Sequence, residues 1–225
     1  MIKEIFHGST NIIKAPTYGY GKKYNDYGLG FYCTENIDLA KEWAAKNNVD
    51  GYVNKYELNT GGLSILNLND NKYCILHWLA ILIENREFDS VSALADEAKK
   101  YLLNKFLINY MDYDIIIGYR ADDSYFSFAQ DFINGAISYR QLSNAMKLGN
   151  LGEQIVIKSK EAFNRLVFKD SIKVNADEWY YKAKQRDSNA RRDYFDFEKN
   201  KRLPGDIYIG QIIDEGMNEN DNRLR

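Results

Sequence analysis

Gly28-Leu29-Gly30-Phe31-Tyr32-Cys33-Thr34 is the stretch on which the fold turns. Two glycines one residue apart invite a dinucleotide-binding reading. That fingerprint needs a strand before the first glycine and a third glycine three residues after the second. Here the glycines close a loop-rich run over residues 11–31 that also holds Pro16, Gly19 and Gly21, and Cys33 stands where the third glycine would fall. A Rossmann fingerprint is therefore absent. Phe31-Tyr32-Cys33 reads as a short strand segment instead.

Working outward, residues 2–6 form a strand that runs into His7-Gly8-Ser9-Thr10. Leu39, Ala40, Trp43 and Ala44 recur at helical spacing and predict a helix over 38–48. Alternation with period two predicts a half-buried strand over 52–58, with another short one over 64–68. Helices follow over 72–85 and 90–110, then a buried strand over 113–118 that ends on Gly118. Two more helices (125–134 and 138–147), a strand (154–158) and a short helix (159–166) precede a charged helical segment over 175–202 and a final strand over 207–213. Strands and helices mix without a βαβ rhythm, so the class is α+β. Residues 1–168 read as one domain, and 169–225 as a charged helical extension packed on it.

Composition narrows the function. Among 225 residues, 45% are hydrophobic and 18 are Tyr and 11 Phe, enough for a large core. Thirty basic against 32 acidic residues give a net charge of -2, which excludes a body that clamps duplex DNA by charge alone. Cys33 and Cys74 form no disulfide framework and read as reduced thiols, which points to the cytoplasm. With His7 and His77 they lack zinc-ligand spacing, so no metal is expected. The N-terminus lacks a signal-peptide core, and no apolar run approaches a membrane span.

Two places carry candidate chemistry. His7-Gly8-Ser9, at the end of the first strand, sets an imidazole beside an open backbone amide and a hydroxyl, suited to a ribose hydroxyl and a planar carboxamide. The plainer alternative is a capping histidine in a turn. Tyr32, with Trp43 eleven residues on, could sandwich a flat ring, and a cationic ring would gain more. The alternative is that both are core. His77, in an apolar helix beside Trp78, reads as a packed core or interface histidine. The basic residues of 182–202 interleave with Tyr180, Tyr181, Tyr194 and Phe195, a pattern that suits single-stranded nucleic acid or else a solvated helix with offsetting charges.

Together these residues resemble the ADP-ribosyltransferase fold, in its poly-ADP-ribose-polymerase-like branch with a His-Tyr-Glu triad. More closely, the chain is similar to the bacterial domain-of-unknown-function family 3990. The blocks that carry the likeness are His7-Gly8-Ser9, the run from Asp26 to Thr34, Tyr113-Asp114 through Ala121-Asp122-Asp123, and Glu153-Gln154-Ile155-Val156. They span residues 3–168, and Tyr27 replaces the family's usual Phe.

The resemblance implies a split β-sheet core with flanking helices, an NAD co-substrate, and cleavage of the nicotinamide–ribose bond. By the family pattern His7 would bond the adenine-side ribose, Gly8 the carboxamide, Ser9 the nicotinamide ribose, and Tyr32 and Trp43 the ring. Thr34 and Asp26 complete the cofactor-binding set, and Asp26 reads equally as a turn residue. The late-strand carboxylate position falls on Glu153 or Gln154. Adjacent strand residues face opposite ways, so only one enters the cleft. The family pattern favours Gln154, an amide that cannot act as a base. Asp122 and Asp123 then become the candidates to supply a carboxylate, with a turn and a helix cap as their ordinary reading. The expected activity is mono-ADP-ribosyl transfer to protein or nucleic acid. It fits an intracellular toxin held by an antitoxin-like partner. A non-catalytic NAD-binding module and an NAD glycohydrolase are the alternatives.

Overall fold

The computed structural model describes residues 1–89, 92–121, 123–148 and 152–224. Strand β1 (Ile2–Ser9) pairs antiparallel with β3 (Gly51–Asn59) along its whole length, from Ile2 opposite Asn59 to Ser9 opposite Tyr52. The far edge of β3 pairs with β7 (Leu166–Val174), completing a three-stranded sheet. A second sheet has the order β2 (Phe31–Cys33), β6 (Glu153–Ile157), β5 (Ile115–Tyr119), β4 (Ile65–Asn67). The sheets touch where Phe6 and Thr34 exchange backbone hydrogen bonds of 2.8 and 2.9 Å. Ile5, Phe31, Cys33, Tyr56, Ile115, Ile155 and Ile157 fill the space between them.

Helix α1 (Ile37–Ala44) starts on Asn36, whose side chain accepts from the amides of Asp38 and Leu39. It lies against β1 and β3 at backbone contact. A Cβ on Gly8 would sit 2.0 Å from the Ala40 carbonyl oxygen, and one on Gly51 2.1 Å from that of Ala44. The larger core is built by α2 (Ile75–Asn85), α3 (Ala93–Phe106), α4 (Asp123–Ile133) and α5 (Tyr139–Ala145) around Trp78, Leu102, Phe128 and Phe132. After the single turn α6 (Lys160–Phe163) and β7, helix α7 (Ala176–Asp193) and a π-helical turn (Tyr194–Lys199) return to this core. There Tyr194 stacks on Phe128 at 4.0 Å, and Arg186 of α7 pairs with Glu42 of α1 at 2.8 Å.

The architecture is mixed α and β with two sheets, and most elements fall within a few residues of the expected positions. Two expectations need correction. The final strand expected over 207–213 is a helix, α8 (Ile209–Asp214), because Ile209 and Ile212 bury together at helical spacing. The helix expected over 159–166 stops at Phe163, and β7 follows it unforeseen. That strand carries Lys169, Asp170 and Lys173 because it is an edge strand, and the charges hid its alternation. Residues 168 and 169 are neighbours within β7, so the C-terminal segment begins within the sheet. No helix among the described residues is long and apolar enough to cross a membrane.

Candidate functional site

A cavity of about 470 Å³ opens where the two sheets diverge. It takes His7 and Gly8 from β1, Gly30, Phe31 and Tyr32 at β2, and Trp43 from α1. Asp26, Arg86 after α2, Arg120 and Ala121 after β5, and Gln154 of β6 close the floor, with Ile13, Pro16, Thr17 and Tyr20 as the outer wall.

The strand geometry makes Gly8 chemically open. Both backbone groups of Phe6 are spent on Thr34 across the seam. In an antiparallel ladder a residue's N–H and C=O point to one side and those of the residue two further on point the same way. The amide and carbonyl of Gly8 therefore face the side of β2, beyond the point where the strands part. That position must be glycine for a second reason, the contact with α1 described above.

His7 is held by its Nδ1, 2.7 Å from the Tyr32 carbonyl oxygen, with its ring 4.4 Å from that of Phe31. A carbonyl only accepts, so Nδ1 carries the proton and Nε2 is an acceptor in the neutral ring. Burial lowers the pKa of His7, against the raising effect of the Tyr32 carbonyl, and so favours that neutral form. The Tyr32 hydroxyl donates to the Gly28 carbonyl at 2.6 Å and accepts from the Tyr27 amide at 3.1 Å. Its ring is thereby fixed along the cavity wall, and burial pushes the phenol's pKa well up, so it stays protonated. The turn that holds it requires Gly28 at φ +70°. The Trp43 indole N–H has no acceptor among the described residues, and the Arg120 guanidinium stands 5.1 Å from the Trp43 ring centre.

Asp26 is the polar hub. It is 7% exposed and accepts from Arg86 at 3.0 Å, from the Ala121 amide at 2.8 Å and from the Gln154 side-chain amide at 2.7 Å. Because the carboxylate only accepts, the nitrogen of Gln154 faces Asp26 and its Oε1 is left to the cavity. Glu153 points to the other face of β6, exposed, where Asn69 donates to it at 2.6 Å. The late-strand residue in the cavity is the glutamine.

Residues 3–168 match the family model described as protein of unknown function (DUF3990). The chain belongs to that family. No curated protein and no solved structure matches it. Every residue lining the cavity lies inside the DUF3990 match, and α7 and α8 lie beyond it.

Of the candidates read from the sequence, His7, Gly8, Asp26, Tyr32, Trp43 and Gln154 share this cavity of the DUF3990 chain. Ser9 does not line it. Its hydroxyl donates to the Asn11 carbonyl at 2.5 Å. Thr34 is buried, its Oγ1 accepting from the Asn36 amide just before α1. Glu153 is excluded by alternation. Asp122 lies outside the described residues, and Asp123 opens α4. The sequence reading missed Arg86 and Arg120 as cations of the site. Arg120 sits in a quoted motif block, whereas Arg86 follows a helix end with no local signal. On the C-terminal segment the aromatic and basic surface is smaller than expected. Tyr194 is 1% exposed, and Lys182, Arg186 and Arg191 pair with Glu178, Glu42 and Asp187.

Proposed function

We propose that this protein is an NAD-dependent mono-ADP-ribosyltransferase of the poly-ADP-ribose-polymerase-like kind, with NAD as co-substrate. The observation that carries the reading is the open Gly8 backbone pair between His7 and Tyr32, in one cavity with Gln154. An amide donor and a carbonyl acceptor side by side match a carboxamide, which has one of each. The fixed phenol ring of Tyr32 offers a stacking face for the pyridinium, and Nε2 of His7 an acceptor for a ribose hydroxyl. Arg86 and Arg120 place positive charge where a diphosphate would be drawn.

In the reaction the bond between ribose C1′ and the nicotinamide nitrogen breaks, and its electron pair leaves with nicotinamide. Positive charge develops on the ribose. Oε1 of Gln154 is the acceptor for a ribose hydroxyl. Asp26 stands behind it, 2.7 Å from the Gln154 nitrogen, as the nearest negative charge among the described groups that hold Gln154. The acceptor nucleophile then bonds to C1′ and loses its proton. Arg86 offsets much of the Asp26 charge, so this site opposes the ribose cation less strongly than a bare carboxylate would, and turnover is slow. The acceptor is a protein or a nucleic acid. An antitoxin-like partner that blocks the cavity fits the intracellular toxin setting.

The same neutralised hub favours a second reading, a module that binds NAD without cleaving it. Nicotinamide release from NAD by the purified protein, with cell extract as acceptor source and Gln154→Ala and Glu153→Ala alongside, decides between them. Transfer predicts release that Gln154→Ala abolishes and Glu153→Ala leaves intact. Binding measured by calorimetry without any release identifies the module. Absence of both removes NAD from the account. Release without labelled macromolecule marks a glycohydrolase.

A further inference from the structure

A second set of reactive groups meets at the start of α2, independent of the first cavity. Cys74 is the N-cap of that helix and His77 its third residue. They close a reciprocal box, the His77 backbone N–H serving the Cys74 side chain and the Cys74 N–H donating to His77 Nδ1 at 3.1 Å. Such boxes are ordinarily built from Ser or Thr with Glu or Gln, the side chains that cap best. Here the two positions hold a thiol and an imidazole, with Sγ 3.4 Å from Nδ1. Across the ring, Nε2 lies 3.4 Å from the carboxylate of Glu219, brought from 142 residues away.

The protonation pattern follows from these partners. A carboxylate accepts, which places a proton on Nε2 and leaves Nδ1 as the acceptor; Nδ1 takes the Cys74 N–H at 3.1 Å, with the Cys74 carbonyl oxygen at 3.2 Å and the thiol at 3.4 Å beside it. The order is thiol, imidazole, carboxylate, which is that of a nucleophile, its base and the group that orients the base. Burial pushes the Cys74 thiol's pKa up, against the lowering effect of the Leu76 and His77 amides that donate to the sulfur. The resting group is a neutral thiol, so its proton must pass to the imidazole as a bond forms. Cys74 borders a cavity of about 390 Å³ whose lining combines Tyr73, Trp78, Tyr119 and Tyr139 with the charged Lys147 and Glu153, of the size small-molecule sites have. Strand β6 separates the two cavities, Gln154 lining one and Glu153 the other.

We propose that Cys74 is the nucleophile of a second site, which takes an acyl group from an activated small-molecule ester or thioester. Sγ bonds to the carbonyl carbon while its proton moves to Nδ1 of His77, which gives up its bond from the Cys74 N–H. The carbonyl oxygen takes the electron pair. The pair returns, the bond to the leaving oxygen or sulfur breaks, and that atom takes the proton from His77. The product is an acyl-cysteine and a free alcohol or thiol. Glu219 is a positioning residue, and the aromatic side chains offer contact area to the acyl group.

The test is p-nitrophenyl acetate on the full chain, following p-nitrophenolate release and locating the acetyl group by mass spectrometry. The expected result is one acetyl per chain on Cys74, none on the fully buried Cys33, and loss of both signals in Cys74→Ala. Glu219 is exposed, so its variants keep the fold. Glu219→Ala slows acylation by about tenfold or more. Glu219→Gln, which keeps an acceptor for the Nε2 proton, recovers part of the rate. Absence of acetyl at Cys74, or acetylation that is equally fast in Glu219→Ala, overturns the proposal. Either result is independent of whether the first cavity binds NAD.

Discussion

The side-chain amide of Gln154 donates to the carboxylate of Asp26 at 2.7 Å. The two residues are 128 apart in sequence, both are buried, and Arg86 and the Ala121 amide complete the same hub. A glutamate in place of the glutamine would set a second carboxylate against Asp26.

Gln154→Glu is therefore expected to destabilise the protein by about 2 kcal/mol at pH 7, read by urea unfolding. Two carboxylates this close cannot both ionise cheaply, so the pair's folded pKa rises above the unfolded value. Stability is then full at low pH and is lost as pH rises through the raised value. The deficit should shrink at pH 5. Glu153→Gln, on the exposed face, should change stability by less than about 0.5 kcal/mol. Equal deficits at both pH values would show that the carboxylates do not meet.

Gly8→Ala tests the close approach of α1 to β1. Its Cβ would lie 2.0 Å from the Ala40 carbonyl, a backbone atom that cannot swing away. The expected cost is about 3 kcal/mol or loss of the fold, measured by thermal melting with circular dichroism. Gly61→Ala, whose nearest neighbour would be the Asn59 side-chain oxygen at 3.3 Å, should melt near the parent temperature.

The two histidines make a proton NMR titration simple to assign. His7 should show the Nδ1–H tautomer and a midpoint below 6.5. With its folded pKa lowered by burial, its contribution to stability is full above about 6.5 and declines as pH falls through the folded value. His7→Asn should remove that slope. A midpoint above 6.5 would contradict the buried, neutral ring.

A chain ended at Phe168, where the DUF3990 match stops, should not fold. It would keep the first three residues of β7 and lose 169–174, stripping one edge of β3, together with the Tyr194 contact on Phe128. Circular dichroism and the elution volume of the truncated chain check this. A cooperative melt would show that the C-terminal segment is dispensable.

Much of this architecture was legible in local pattern. The alternation over 52–58 and the helical spacing of Leu39, Ala40 and Ala44 report burial on one face, and burial is what periodicity records. Strand β7 was not legible, because an edge strand needs charge to stay unpaired on one side, and charge erases alternation. Helix α8 was misread because a short run of isoleucines fits either period until its partners are known.

The site divides the same way. Local sequence placed His7, Gly8 and Tyr32 at strand ends and established that Glu153 and Gln154 must face apart, since strand geometry is a property of neighbouring residues. Which of the two enters the cavity depends on how β6 sits between β2 and β5, a long-range pairing. The arrival of Arg86 at Asp26, 60 residues away, and of Glu219 at His77, 142 residues away, depends likewise on packing between distant segments. The sequence by itself determined most of the elements and the placing of Gly8 beside His7 at the end of the first strand. Only the tertiary structure decided which charges stand around them, because ion pairs across such separations leave no local signature.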